Sequence, residues 1–152
     1  MKTVTTWAAV AVVVMVGSAG RAFAVKPVAA EKPFIRVTAK PERLDLGTAP
    51  LTGSLELKDA LTLEVEANCL HGPIYLSATP LNRRSGGSIG NGQISVRTGA
   101  TSGYVAMNRP VAISKPTNGS HRIVVDVKVD ATAGFPAGQY DGMFTFMIMP
   151  PV

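Results

Sequence analysis

Few side chains in this sequence have the type and spacing to do chemistry. Cys69 and His71 stand two apart in Cys-Leu-His-Gly, the spacing of a thiol nucleophile beside its base or of two metal ligands. Alternate positions share a side only while a strand continues, and Gly72-Pro73 interrupts it at once. A metal site also needs three or four ligands at defined spacing. His121, the other histidine, opens a segment beside a turn and reads as solvated. The run GGSIGNG over residues 86–92 has the glycine density of a phosphate loop, but no Lys-Ser/Thr and no helix follow it. It reads as part of a flexible connection over residues 83–92. Glu64 and Glu66 share one face, yet without a cleft or partner groups they read as solvated rather than as a glycosidase pair. Asn118-Gly119-Ser120 matches a glycosylation sequon and is equally explained by a hairpin turn. Tyr75, Tyr104 and Tyr140, with Trp7 the only tryptophan, make a poor platform for sugars. No catalytic, cofactor-binding or metal site emerges, and the chain reads as non-enzymatic.

The elements that would carry these residues are strands. Leu61, Leu63, Val65, Ala67 and Cys69 alternate with Thr62, Glu64, Glu66 and Asn68, a strict period of two that predicts a half-buried strand. That alternation puts Cys69 on the inner face, as a small buried hydrophobe. As the chain's single cysteine, it is either a free thiol or half of an intermolecular bond. Ile123, Val125, Val127 and Val129 form a second inner row, opposed by Arg122, Asp126, Lys128 and Asp130, with Val124 out of pattern. Weaker strands are expected over residues 34–39 and 43–46 (broken near Pro41), 54–57, 73–79, 93–98, 103–107 and 111–114. Asn91-Gly92, Asn118-Gly119, residues 136–138 and Asp141-Gly142 supply turn chemistry. No helical stripe interrupts this pattern after residue 24. Seven or eight short strands in about 120 residues predict an all-β, antiparallel β-sandwich.

The last strand is expected over residues 139–149 and reads as completing the sandwich. Phe144, Phe146 and Ile148 form its core face, while Met143, Thr145, Met147 and Met149 form an unusually apolar opposite face. Large exposed apolar patches mark contacts, so Met143, Met147 and Met149 are a candidate assembly face.

The N-terminus has the three-part pattern of a secretory signal: Lys2, an apolar run over residues 7–16, and Ala22-Phe23-Ala24 as a cleavage site. The apolar run is shorter than the roughly 20 residues that span a bilayer. Residues 1–24 are therefore expected to be removed, 25–33 to form a linker or N-terminal arm, and 34–152 to be the β-sandwich domain. The precursor carries a formal net charge of +5. Removal of Lys2 and Arg21 leaves 13 basic against 10 acidic side chains, a net +3. Scattered at that level, the charge is no footprint for nucleic acid. No later segment reads as transmembrane.

Three stretches carry a resemblance. FIRVTAKPERLDLG looks like a first strand followed by an L-D-[FL]-G step, LTLEVEANCLHGPIYLSATPL like second and third strands, and VDATAGFPAGQYDGMFTFMI like a P-A-G-x-Y-x-G-x-[FL]-x-[FLV] closing hairpin. Together they resemble exported bacterial immunoglobulin-like domains, among them fimbrial or pilin-like subunits and spore-coat-U-like surface subunits, over most of residues 34–149. The resemblance implies an immunoglobulin-like sandwich and a structural corner at Tyr140, with Asp130 and Tyr140 bracketing the last crossover. It implies no cofactor, and protein partners or self-association. Such subunits often carry a disulfide between early strands, which one cysteine cannot form. A chaperone–usher subunit also borrows its last strand from a neighbour's N-terminal extension, whereas this chain reads as carrying its own, and its arm does not clearly alternate. The expected role is a secreted structural or adhesive subunit of the cell envelope or a surface appendage. The alternative is a monomeric periplasmic binding module that holds a protein or small ligand through loops such as 83–92.

Overall fold

The computed structural model describes residues 31–46, 53–131 and 134–149. The expected signal peptide and residues 25–30 of the arm lie outside the described residues. Contacts group the chain into Met1–Glu31 and Lys32–Val152, and the architecture that follows belongs to the second unit.

Strong β formers alternating with polar residues give strands here, and no α-helix forms among the described residues. In chain order the strands are β1 (Ile35–Lys40), β2 (Ser54–Ala67), β3 (Leu70–His71), β4 (Ile74–Ala78), β5 (Leu81–Arg83), β6 (Ser88–Ile89), β7 (Ile94–Arg97), β8 (Val105–Ala106), β9 (Val111–Ala112), β10 (Thr117–Asn118), β11 (His121–Asp130), β12 (Tyr140–Asp141) and β13 (Phe144–Ile148). A single 3-10 turn, Asn91–Gln93, precedes β7. Every pairing is antiparallel. One sheet has the order β1-β2-β11-β7-β8, and the other is built on β13-β4-β9.

The second sheet is longer than that order implies. β12 pairs with β5, and β5 with β6, next to the β13–β4 ladder and shifted from it by one residue, while Thr79 N–H donates to the Met143 carbonyl at 2.9 Å and Met143 N–H to Thr79 Oγ1 at 2.8 Å. Pro80 and Gly142 mark the irregularity between the two ladders. Pro80 has no N–H to give, and a Cβ on Gly142 would meet Leu81 Cδ2 at 2.5 Å and the Pro80 carbonyl at 3.3 Å.

The two sheets face each other across one core. Leu61, Leu63 and Val65 of β2, Ile123, Val125 and Val127 of β11, and Ile94 and Val96 of β7 meet Ile74 and Leu76 of β4, with Met107, Val111 and Ile113 alongside. This is an antiparallel β-sandwich, as the alternation in β2 and β11 predicts. Among the described residues the sandwich is cut into thirteen segments, six of them only two residues long, because prolines, glycines and bulges interrupt the ladders.

The centre of the first sheet contains one deliberate break. Val125 pairs with Leu61 but Val127 with Leu57, so residues 58–60 bulge out of β2 opposite Asp126. Asp59 sits there at φ 51°, the left-handed region that an aspartate tolerates better than most residues. The Asp126 carboxylate holds the bulge. Its Oδ1 accepts Asp59 N–H at 2.8 Å, and its Oδ2 accepts Arg97 Nε at 3.0 Å and Nη2 at 2.6 Å.

Several expectations are corrected. Residues 43–46 form no strand, although Leu44 and Leu46 still pack on the core. The connection over residues 83–92 is more ordered than its glycines suggest, because Ile89 of β6 is buried and Arg83 donates to the Gly86 carbonyl and, by Nη1, to the Ala137 carbonyl, both at 2.8 Å. The last strand lies at an edge of its sheet, since β13 pairs with β4 alone among the described residues.

Candidate functional site

The residues singled out for chemistry fall in three places. Cys69 lies beyond the end of β2, where the chain bends, and is half-buried rather than enclosed. Its Sγ is 3.7 Å from the Phe34 carbonyl, not beside an imidazole partner. His71 is fully buried, and His121 is half-buried and stacked on it, with ring centroids 5.1 Å apart and planes within 10°. The reading of His121 as solvated is thus corrected. His71 Nδ1 lies 2.8 Å from the Gly72 carbonyl and His121 Nδ1 lies 3.3 Å from that of Gly119. A carbonyl only accepts, so each Nδ1 is the donor in these contacts. Both Nε2 atoms are buried without a hydrogen-bond partner among the described residues. Among the described residues no group of three or more His, Cys, Asp or Glu could hold a metal ion.

The carboxylates of the first sheet are occupied. Glu64 takes Lys40 at 2.8 Å and faces Arg122 at 3.9 Å, and Glu66 faces Arg36 at 3.5 Å. The hydrogen bond from Lys40 is the main reason the Glu64 carboxyl sits below the usual carboxylate range. Two carboxylates neutralised by separate cations on a solvated strand face make no acid–nucleophile pair.

A denser cluster surrounds Tyr104, one of the three tyrosines that make a poor platform for sugars. Its hydroxyl donates to Glu56 Oε1 at 2.7 Å, the Arg97 guanidinium stands 4.7 Å from the ring centroid, and Lys128 Nζ stands at 5.7 Å. Burial, then the bond to Glu56, pushes the Tyr104 phenol up to about 12 against the opposing pull of Arg97. An ultraviolet pH titration should therefore show one phenolate appearing near pH 12, and Tyr104→Phe should remove that step and no other.

The geometry with the clearest functional content is the free edge of β13. The bonds between Thr79 and Met143, and between Met149 N–H and the Pro73 carbonyl at 3.3 Å, fix which residues face β4. Met143, Thr145, Met147 and Met149 direct their backbone groups to β4, so Phe144, Phe146 and Ile148 direct theirs away from it. No strand meets those three N–H and three C=O groups among the described residues. The same three residues turn half-buried side chains towards the core. Met143, Met147 and Met149 are 63, 53 and 43% exposed on the outer face.

β1 repeats this arrangement. The Phe34 carbonyl accepts Asn68 N–H, which sets the register so that Ile35, Val37 and Ala39 point their backbone groups away from β2 and their half-buried side chains inward. The two free edges lie on the same side of the sandwich. β8 and β9, the opposite edges of the two sheets, are joined by only residues 107–110, and buried Met107 fills that side. β1 and β13 therefore flank the other side, where Leu44 and Leu46 pack on the core after β1.

Tyr140 sits at the entry to this edge strand and donates its hydroxyl to the Pro136 carbonyl at 2.7 Å, tying residues 136–140 into a corner. At the far end, a Cβ on Gly72 would meet Met149 Cβ at 2.6 Å, so the close approach of the β3–β4 link to the end of β13 requires glycine. Among the described residues no helix is long and apolar enough to cross a membrane. No family model and no curated protein matches the chain.

Proposed function

We propose that the protein is a non-enzymatic structural subunit, exported to the periplasm, cell surface or exterior, that assembles by taking a strand of a neighbouring subunit along β13. The observation that carries this reading is the row of backbone groups on Phe144, Phe146 and Ile148, which point away from β4 and meet no strand among the described residues. An edge left long, flat and apolar is a template for another chain, and soluble proteins ordinarily blunt it with lysine, proline or a covering loop. Between Met143 and Met149 the chain carries no lysine and no proline, and no strand covers that edge among the described residues. A visiting strand with apolar residues at alternate positions would satisfy the backbone of β13 and cover Phe144, Phe146 and Ile148 from the side facing β1. The exposed methionines then lie on the outer face beside the joint, where adaptable side chains suit a packing surface.

Amide exchange combined with light scattering tests the reading. In dilute protein the amides of Phe144, Phe146 and Ile148 should exchange rapidly while those of Thr145, Met147 and Met149 are protected. At concentrations where scattering reports polymers, the first three should become protected. A monomer at every concentration, or protection of all six amides in the dilute protein, would refute assembly through this edge.

A further inference from the structure

On the other side of the molecule, β11 has a second unpaired stretch. β7 pairs only with Asp126–Val129, so residues 121–125 have β2 on one flank and no strand on the other among the described residues. The register fixes their polarity. Since Phe34 and Asn68 form a hydrogen-bonded pair, the even residues of β2 beyond its bulge face β1 and the odd ones face β11. Residues 121, 123 and 125 therefore bond to β2, and Arg122 and Val124 turn their backbone N–H and C=O outward.

Those groups open into a cleft of about 480 Å³. Arg122, Ile123 and Val124 all line it, which consecutive strand residues can do only where a cavity runs along the strand's edge. The facing wall is preformed. Thr98 ends β7 and turns the chain away, taking Ala100 N–H on its Oγ1 at 3.1 Å, donating that hydroxyl to the Ile113 carbonyl at 3.3 Å, and giving its own N–H to Thr101 Oγ1 at 2.8 Å. Two cations line the cleft. Lys115 has no ion pair among the described residues, and Arg122 has only Glu64 at 3.9 Å, a carboxylate already bonded to Lys40. Val124, the residue out of pattern in the sequence of β11, is 37% exposed and gives the cleft an apolar strip.

We infer that this cleft binds a short extended peptide that presents a carboxylate. Strand-edge N–H and C=O groups are complemented by another peptide backbone, the apolar strip by a small side chain, and Lys115 with Arg122 by the carboxylate. The site is independent of assembly through β13, because β11 lies between it and the β1 side of the sheet.

The test is an amide-shift titration of the full chain with acetyl-tetra-alanine as its free acid and, separately, as its C-terminal amide. Shifts are expected at Gly99, Ala100, Arg122 and Val124, with the acid binding about tenfold more tightly than the amide and weakening as salt rises. Lys115→Gln and Arg122→Gln, both at surface positions, should reduce the acid towards the affinity of the amide. Equal binding of acid and amide, no shift in the cleft up to millimolar peptide, or shifts confined to residues 144–148 would each overturn the inference, the last by assigning peptide capture to the assembly edge instead.

Discussion

A turn and a seven-residue strand appended after Val152, with apolar residues at alternate positions, is expected to raise the Tm by on the order of 10 °C and to hold the protein monomeric. The gain comes from groups already in place. Three N–H and three C=O groups on Phe144, Phe146 and Ile148 exchange water for a ladder, and the half-buried side chains of those residues and of Ile35, Val37 and Ala39 lose their remaining solvent. Joining the strand to the same chain converts a concentration-dependent association into a local one. The control is the same extension with serine at each apolar position, which keeps the ladder chemistry but not the burial and should give little of the gain. An unchanged Tm for the apolar extension, read by calorimetry, would mean that β13 is not an acceptor edge.

Asp126→Ala is expected to cost about 3 kcal/mol, measured by urea unfolding. Its side chain is only 16% exposed and carries three hydrogen bonds. Truncation removes both hydrogen bonds of the Arg97 guanidinium, leaving it Glu56 at 4.0 Å, and takes the acceptor from Asp59 N–H in the bulge of β2. Asp126→Asn keeps an acceptor for one of these donors and should cost about half as much. The charge also sets a pH dependence. The Asp59 N–H and then Arg97 hold the Asp126 carboxyl below its ordinary range. A carboxylate with a lowered folded pKa contributes stability that is fully present above its unfolded value, about 3.9, and is lost as pH falls through the folded value. Acid unfolding of Asp126→Asn should therefore be shallower below pH 4 than that of the parent. An acid limb identical in both proteins would show that the carboxylate is not the group responsible.

Alternation is legible in a sequence because it depends only on neighbours. Leu61, Leu63 and Val65, and Ile123, Val125, Val127 and Val129, are buried as their period predicts. Phe144, Phe146 and Ile148 point to the core as expected. Sheet order depends on residues far apart, and nothing local to β13 says that it has one partner rather than two. Cys69 shows the same limit at smaller scale. Its position continues the period of β2, but the strand ends at Ala67 and the period ceases to apply. The stacking of His71 on His121 joins residues fifty positions apart in sequence, one on β3 and one on β11, which lie in different sheets. Tyr104 carried no local signal at all, since its partners Glu56, Arg97 and Lys128 come from β2, β7 and β11. Val124 is an apolar residue in the polar row of β11, and it stands 37% exposed on the stretch that β7 leaves unpaired.

The β2–β11 ladder also governs how the chain can fold. It joins residues 56 apart at one end, where His121 meets Val65, and 76 apart at the other, where Asp130 meets Ser54. Pairings of that span close late, because a long loop must be ordered before any contact rewards it. A chain delivered from its N-terminus has β1 and β2 available early, but Leu61, Leu63 and Val65 must wait for β11 to arrive before the centre of their sheet exists. For that interval a fourteen-residue strand stands with one flank bare. Slow arrival and an apolar strand left waiting make a kinetic hazard, in which the unfinished chain aggregates the more readily the higher its concentration.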